Sequence, residues 1–198
     1  MIINFLPYNN EIYRKLIHST SSLIPLLYIF INFKVFIFII VSALIITLCI
    51  NLNYTKYLSK IYIFKKIFGH VLRLYEINNL WGSSYMLIGF CFITLIFNKY
   101  IAIPAMLITS ISDSLAAVFG MKYGHIKVIN NKTLEGLLAF IISAYIILFL
   151  SLNNHPPLML YFISIIAGLI ELFTPTKFDN ISVPIGTAVI LYIISLQI

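Results

Sequence analysis

Long apolar runs alternate with short polar stretches along this chain. A helix needs about 20 largely apolar residues to cross the hydrocarbon core of a bilayer. Seven runs approach that length, namely residues 16–33, 35–52, 79–97, 100–120, 134–152, 157–173 and 182–197. Lys34 separates the first two runs as a tight turn, and prolines lie in the later gaps. The pattern predicts an all-α, polytopic membrane protein with about seven transmembrane helices.

The composition supports a membrane protein. Of the 198 residues, 61% are hydrophobic and 10% are charged, whereas a soluble domain usually has about 25% charged residues. Cys49 and Cys91 both lie in apolar runs and are expected to pack rather than to form a redox pair. We find no internal repeat, long linker or signal peptide, so we expect one integral membrane domain over residues 1–198.

The basic residues give an orientation. The net charge is +7, and its basic residues lie between the apolar runs, which favours anionic lipids or phosphorylated ligands and no nucleic acid. With seven spans, eleven Lys and Arg residues share the side of the N-terminus, and only Lys34 and Lys99 lie opposite. The positive-inside rule therefore predicts a cytoplasmic N-terminus in a multi-pass protein of a cytoplasmic or inner membrane.

One segment, about residues 53–78, is too basic to span the membrane. Lysines and apolar residues are interleaved there, so the segment fits an amphipathic helix lying in the cytoplasmic interface. A loop that only sets the topology is the simpler alternative. We assign no catalytic role to this segment under either interpretation.

All acidic residues fall on or near the predicted cytoplasmic side: Glu11, Glu76, Asp113, Glu135, Glu171 and Asp179. Carboxylates at membrane depth are costly and usually functional. The alternative is that they only pair with the nearby cations, which explains Glu76 well. It does not explain Asp113, which lies inside the fourth run.

Helical spacing places Ala116, Gly120 and Gly124 on the same face as Asp113. Small side chains on this face allow a ligand or another helix to approach the carboxylate. Such stripes are often packing seams. A packing seam does not need an aspartate, so we predict a functional role for Asp113.

The loop after the fourth run contains Lys122, Lys127 and Lys132, and Thr133 is a suitable N-cap for the next helix. Lysines beside the positive end of a helix suit a phosphate group. Glu135 in the first turn suits a magnesium ion. Alternatively, the lysines only mark orientation and Glu135 only complements the helix dipole. The sequence leaves both interpretations open.

Two further clusters lie near the ends of the chain. Glu11, His18 and either Arg14 or Lys15 share one helical face, as a ligand site or as a structural ion pair. In the second cluster, Glu171 and Asp179 lie on either side of Pro175, and their two carboxylates can converge. The sequence has no zinc-ligand spacing, catalytic-triad order or Walker loop.

Five motifs occur in order along most of the chain. They are Arg14-Lys15-x-x-His18, Gly82-Ser83-Ser84-Tyr85, Ser112-Asp113-Ser114-x-Ala116-Ala117-x-x-Gly120-x-x-x-Gly124, Lys132-Thr133-x-Glu135-Gly136 and Asp179-Asn180-x-x-Val183-Pro184. Together they resemble the CTP-dependent membrane lipid kinases, which include dolichol, phytol and fungal-type diacylglycerol kinases. The resemblance implies transfer of phosphate from CTP to a lipid alcohol at the cytoplasmic face, with a divalent metal ion.

On this resemblance, Asp113 and Glu135 would hold Mg²⁺ on the CTP phosphates, and Asp179 is the third catalytic candidate. The expected nucleotide-binding residues are Arg14, Lys15, His18, Lys122, Gly124, Lys127, Lys132, Thr133 and Gly136. The acceptor would be a polyprenol-like, dolichol-like or diacylglycerol-like alcohol among the membrane lipids. The carboxylate that meets the hydroxyl and the oligomeric state stay open.

Two alternatives remain. Phosphatidate cytidylyltransferases share a similar Asp-to-Lys-Thr-x-Glu-Gly stretch and also use CTP, but their longer closing signature is missing from this chain, which favours the kinases. A small transporter or non-catalytic membrane subunit is the alternative of another class. A transporter should carry polar groups through the whole membrane, whereas here they stop in the predicted cytoplasmic half.

Overall fold

The computed structural model describes residues 8–54, 57, 60–62, 71–76 and 79–196. Over these ranges the chain is helical apart from turns, loops and one isolated β-bridge, so the all-α prediction is confirmed. A short 3₁₀ turn covers Leu74–Glu76. The α-helices are α1 (Tyr8–Thr20), α2 (Leu23–Phe30), α3 (Phe33–Tyr54), α4 (Gly82–Ile96), α5 (Lys99–Leu107), α6 (Asp113–Tyr123), α7 (Leu134–Ser151), α8 (Pro157–Phe173) and α9 (Asp179–Ser195).

Three helical stretches are long and apolar enough to cross a membrane: Phe33–Tyr54, Lys99–Tyr123 and Leu134–Ser151. The helices α4, α8 and α9 are apolar but shorter. At 1.5 Å per residue, a helix of 15 residues is only about 22 Å long, against about 30 Å of hydrocarbon. The predicted count of seven spans therefore stays a prediction.

The first predicted span, residues 16–33, is not one helix. It is interrupted between α1 and α2, where the hydroxyls of Ser19, Thr20 and Ser21 donate to carbonyls three residues earlier. Such bonds offer the backbone an alternative to regular helix bonding. The hydroxyl oxygens of Ser21 and Ser110 are 2.9 Å apart, and this contact holds the turn against the central helix.

Two other predictions about loops need correction or lie out of reach. The turn between α2 and α3 is formed by Ile31 and Asn32, and Lys34 already belongs to α3. Asn32 fixes this start, because its Oδ1 accepts from the backbone N–H of Val35 at 3.0 Å. Most of the predicted interfacial helix at about residues 53–78 lies outside the described residues, which lack 55–56, 58–59, 63–70 and 77–78.

The central element is the stretch Lys99–Tyr123, most of which is buried. It contains a π-helical segment, Ile108–Ser112, and the N–H of Asp113 donates to the carbonyl of Ile108, five residues earlier. Its first half packs on α2 and α9, and its second half on α1 and α7. Short π-helical segments are rare overall, but those that occur are frequently found at functional sites. This one immediately precedes Asp113.

The charged side chains gather at one end of the helices. Contacts there join α1 to α6, the residues 71–76 to α1 and α4, α4 to α9, and the loop before α7 to α8. At the other end, Lys99 donates to the carbonyls of Ile29 and Ile31 at the end of α2. The helices thus bring acids from six distant sequence positions to a single end of the molecule.

Candidate active site

A cavity of about 340 Å³ lies at the charged end of the helices, between α1, α6, α8, the start of α9 and the loop before α7. In the described part of the chain, four acids and four bases line it. They are Glu11, Asp113, Glu171, Asp179, Lys15, Arg73, Lys127 and Lys132. Their formal charges cancel. The cavity therefore combines strong local fields with no net charge.

Asp113 lies at the inner wall of this cavity and is 3% exposed. Lys15 Nζ is 2.5 Å from its Oδ2, and His18 Nε2 is 3.4 Å from the same oxygen. A buried carboxylate is tolerated only with such partners. The N-terminal motif and the central helix, which are 98 residues apart at this contact, therefore form one site.

The small residues that share a helical face with Asp113 also line the cavity, as the spacing predicts: Ala116, Gly120 and Gly124. Two glycines let α6 and α7 approach. A Cβ on Gly136 would lie 2.8 Å from the carbonyl oxygen of Ala116, and one on Gly120 would lie 2.9 Å from Thr133 Oγ1. The stripe is therefore both a packing seam and an opening beside the carboxylate.

The loop before α7 contains a tight turn and ends in a side-chain cap on the helix. Thr133 Oγ1 accepts from the N–H of Gly136 at 3.2 Å, which confirms the predicted N-cap. Asn130 and Asn131 form the tight turn, with φ values of 54° and 61°. Asparagine tolerates this left-handed conformation better than most residues. Thr133 and Gly136 line the cavity, so the start of α7 faces it.

Glu135 and Lys122, two of the predicted site residues, are not among the side chains that line the cavity. Glu135 Oε1 instead accepts from the backbone N–H groups of His125 and Ile126, at 2.8 and 3.3 Å, and so fixes the loop. Lys122 is exposed, with its Nζ 5.1 Å from the ring centre of Tyr123. A metal site shared by Asp113 and Glu135 has no support from this geometry.

Lys132 and Lys127 do line the cavity, as predicted. Lys132 Nζ lies 2.8 Å from Glu171 Oε1 and also donates to the Glu171 carbonyl oxygen. Glu171, at the end of α8, is 6% exposed. We did not predict it as a site residue, although a carboxylate in an otherwise apolar helix four residues before Pro175 was a usable signal.

Asp179 is the first residue of α9 and is 5% exposed. Its Oδ1 accepts from the N–H of Asn180 at 2.8 Å. It lies close enough to Asp113, Glu171, Lys15 and Lys132 for their charges to interact. The convergence of Glu171 and Asp179 that the sequence left open is therefore present.

Glu11, which lines this cavity, is paired with two arginines. Glu11 Oε1 accepts from Arg14 Nη2 at 2.5 Å and from Arg73 Nη2 at 2.6 Å. Burial would raise the pKa of Glu11, but the two guanidinium groups outweigh it and lower the pKa from 4.5 to about 2. Sequence reasoning missed Arg73, because nothing local to it indicates a partner 62 residues earlier.

A second cavity, of about 350 Å³, lies on the other side of α1, against α3 and α4. Arg14 and His18, predicted to bind phosphate, line this cavity rather than the first. Lys15, from the same motif, lines the first cavity. Helix α1 is thus part of the wall between the two cavities.

The described residues contain no group of three or more side chains of the metal-ligating types placed to hold a metal ion. Nevertheless, all four acids that line the cavity are buried, and among them Asp113 is the one whose charge acts most strongly on Asp179. Mg²⁺ usually takes one or two carboxylates from a protein and the rest of its oxygens from phosphates and water. The pair fits a metal ion that arrives with a phosphorylated ligand.

The fold and the site define an all-helical membrane protein with a charge-balanced cavity at one end of its helices. The chain is 30% identical to an uncharacterized protein of Rickettsia prowazekii, RP860, over 187 residues, which cover 87% of this chain and 89% of that protein. The chain belongs to the family of that rickettsial protein.

The chain is also 31% identical to the CTP-dependent diacylglycerol kinase 1 of Saccharomyces cerevisiae over 135 residues, which cover 66% of this chain. These residues cover 46% of the yeast kinase, so the chain spans about half of its length. The similarity supports the resemblance to CTP-dependent lipid kinases that the motifs indicated. No model of a known protein family matches the chain, and no solved structure matches it.

Proposed function

We propose that this protein transfers the γ-phosphate of CTP to the hydroxyl of a membrane lipid alcohol, with diacylglycerol or a polyprenol as acceptor. The observation that carries the proposal is the buried Asp113–Lys15 pair, which lies in one cavity with Asp179 and Lys132. The likeness to a yeast enzyme named as a CTP-dependent diacylglycerol kinase supports the same activity.

The nucleotide phosphates would contact Lys15, Lys127 and Lys132, and the N-terminus of α7 at Thr133 and Gly136. Phosphoryl transfer depends mainly on positioning and on neutralising charge. Lys15 and Lys132 are each paired with a carboxylate. An entering phosphate would replace that carboxylate as the partner of the lysine. The carboxylates would then need a cation of their own.

Asp113 and Asp179 are the residues we propose to hold Mg²⁺, because Asp113 is the cavity acid whose charge acts most strongly on Asp179. A bound Mg²⁺ would neutralise phosphate charge during transfer. Glu135 is proposed to position the phosphate-facing loop, because its oxygens are engaged by the loop backbone. Gly120, Gly124 and Gly136 keep the cavity open beside Asp113.

In the reaction, a bond forms between the lipid oxygen and the γ-phosphorus of CTP, and the bond from that phosphorus to the β,γ-bridging oxygen breaks. The products are a lipid phosphate and CDP, and the hydroxyl proton passes to a basic group of the site. The equal numbers of acids and bases leave the cavity without net charge, which suits the binding of a nucleotide together with a cation.

We further propose that the site faces the cytoplasm and that the chain crosses the membrane seven times, with residues 16–33 as a broken first crossing that Glu11 precedes. This topology places the start of α1 and the site-forming ends of α6, α7, α8 and α9 on one side. The gathering of charged groups at one end of the helices supports it, as does the strong lysine and arginine bias.

The test is to incubate the purified protein, with magnesium, in mixed micelles containing diacylglycerol, polyprenol, phytol or phosphatidate. CTP carries its label on the γ-phosphate in one set and on the α-phosphate in another. We expect γ-label in the extracted lipid, which also identifies the acceptor. Lipid labelled only from the α-phosphate would identify a cytidylyltransferase instead, and label from neither position would overturn the proposal.

A further inference from the structure

We propose that the second cavity, between α1, α3 and α4, holds the alcohol end of the acceptor lipid, and that His18 meets its hydroxyl. This inference rests on the proposed function and names the acceptor site of the same reaction. The acceptor class is a lipid with a primary hydroxyl at the membrane interface, as in diacylglycerol.

The walls of this cavity are mainly apolar, with Ile17, Ile50 and Met86 among them. Its volume of about 350 Å³ is within the range of small-molecule pockets. That volume suits the glycerol end and the first carbons of a lipid and is too small for two long acyl chains. Ile17 is 57% exposed at the surface of α1, so the acyl chains have an apolar exit into the bilayer.

The polar groups of the cavity are grouped around Gly82 at the start of α4. The N–H of Gly82 donates to Glu76 Oε1 at 2.8 Å, and its carbonyl accepts from Asn180 Nδ2 at 3.1 Å. A Cβ on Gly82 would lie 2.9 Å from that nitrogen. Arg14 lines the same cavity. The cavity therefore has a polar wall for a hydroxylated headgroup and apolar walls for its chains.

The two cavities share their dividing wall. Lys15 lines the charged cavity and His18 the apolar one, and both contact the same oxygen of Asp113, at 2.5 and 3.4 Å. On α9, Asp179 lines the charged cavity and its neighbour Asn180 the apolar one. A hydroxyl in one cavity and a phosphate in the other would meet at this wall.

His18 is suited to orient the lipid hydroxyl. Its Nε2 lies 3.2 Å from the carbonyl oxygen of Thr109 and 3.4 Å from Asp113 Oδ2. Both neighbours are acceptors, so Nε2 carries a proton and, in the neutral ring, Nδ1 has the lone pair. Nδ1 can therefore accept a hydrogen bond from the lipid hydroxyl, which orients the lipid oxygen toward the γ-phosphorus.

A third hollow, between α8 and α9, competes for this role. It is apolar and lined by Ile170, Phe173 and Phe178, among others. Among the described residues, no side chain that contacts Asp113 lines this hollow. A lipid bound there has no described contact route to the buried ion pair, so this hollow is the alternative outcome of the test.

The first test uses the wild-type protein and diacylglycerol carrying a diazirine close to its glycerol. After irradiation, mass spectrometry of the digested protein locates the label. We expect label on peptides that contain Ile17, Ile50 or Met86, with or without CTP. Label confined to the peptide of Ile170–Phe178 would overturn the inference even when the protein transfers phosphate from CTP to lipid.

The second test fills the cavity with Ile50→Trp. Its matched control is Ile45→Trp, because Ile45 lies on a different face of α3 and its side chain is 56% exposed. We expect Ile50→Trp to raise the KM for diacylglycerol about tenfold and to abolish photolabelling, with the KM for CTP unchanged. Thr47→Phe, at a second position of the cavity lining, repeats the test if Ile50→Trp is poorly folded. An equal effect of Ile45→Trp and Ile50→Trp would contradict the cavity assignment.

The role of His18 is tested with His18→Gln. Because the hydroxyl is then no longer oriented, we expect kcat to fall about 100-fold, with photolabelling by diacylglycerol retained. An unchanged kcat would remove His18 from the reaction. If the wild-type protein transfers no phosphate from CTP to any lipid, the proposed function itself fails, whereas active protein labelled elsewhere loses only the acceptor site.

Discussion

At the residue scale, three buried carboxylates of the site are held in ion pairs with lysine or arginine. Asp113 with Lys15, Glu171 with Lys132, and Glu11 with two arginines each place opposite charges within 2.8 Å. Breaking one partner of a buried pair leaves an uncompensated charge and costs about 3–5 kcal/mol. Substitutions at these positions therefore need isosteric replacements and a separate measurement of folding.

Lys132 and Lys122 form a matched pair for testing the phosphate site. Lys132 lines the charged cavity, whereas Lys122 is exposed and does not. We expect Lys132→Gln to raise the KM for CTP about 10- to 100-fold, because a hydrogen bond to a charged group contributes about 1.5–3 kcal/mol. Lys122→Gln should leave it unchanged. Steady-state kinetics with labelled CTP measures both, and a larger effect at Lys122 would contradict the site.

The pKa of Glu11 gives a prediction about acid. Its pKa is lowered from 4.5 to about 2 in the folded protein, so its ion pairs stabilise the fold above pH 4.5. That contribution is lost as the pH falls through 4.5 toward 2. We expect Glu11→Gln to lower the Tm by an amount that is constant from about pH 8 to 5.5 and shrinks only at more acidic pH. A difference that vanishes near neutral pH would contradict these ion pairs.

Local sequence identified some of these residues and not others. Asp113 was predictable because a lone carboxylate in an apolar run is costly, and Thr133 because N-caps have a local signature. Arg73 was not, because its function follows from a contact with Glu11 that only the folded chain creates. Glu135 was assigned to the metal although its carboxylate binds backbone N–H groups of the preceding loop.

At the element scale, the apolar runs located the helices, but not the break between α1 and α2. The serine and threonine residues there have neutral hydropathy, so the run continues through them. Their hydroxyls bond to nearby carbonyls instead. The π-helical segment before Asp113 was equally invisible, because it depends on how the central helix packs on its neighbours.

Gly136 tests the close approach of helices α6 and α7, and Gly186 on α9 is its control. A Cβ on Gly136 would lie 2.8 Å from a backbone oxygen, whereas one on Gly186 would lie 2.7 Å from the flexible end of Ile170. We expect Gly136→Ala to destabilise the protein by about 1–3 kcal/mol and to reduce kinase activity. Gly186→Ala should be nearly neutral. Thermal unfolding in detergent measures both, and equal effects would argue against a special seam at Gly136.

At the scale of the whole molecule, the helices bring short motifs from opposite ends of the sequence to one charged end. The contacts of Lys15 with Asp113 and of Lys132 with Glu171 each join distant parts of the chain. The order of the motifs was visible in the sequence. Their division between two cavities on either side of α1 was not, because it depends on which face of α1 meets α6.

The central claim is that Asp113 and its cavity transfer the γ-phosphate of CTP to a lipid alcohol. The most direct measurement compares γ-label in extracted diacylglycerol, or in whichever alcohol proves to be the acceptor, for wild type, Asp113→Asn and Lys122→Gln. Membrane insertion of all three proteins is verified first, and activity is compared at a temperature below the Tm of each.

We predict transfer by wild type and Lys122→Gln, and none by Asp113→Asn, which is inserted and folded. The amide keeps the shape of the side chain but not the charge that Lys15 and His18 face. Undiminished transfer by folded Asp113→Asn would contradict the account.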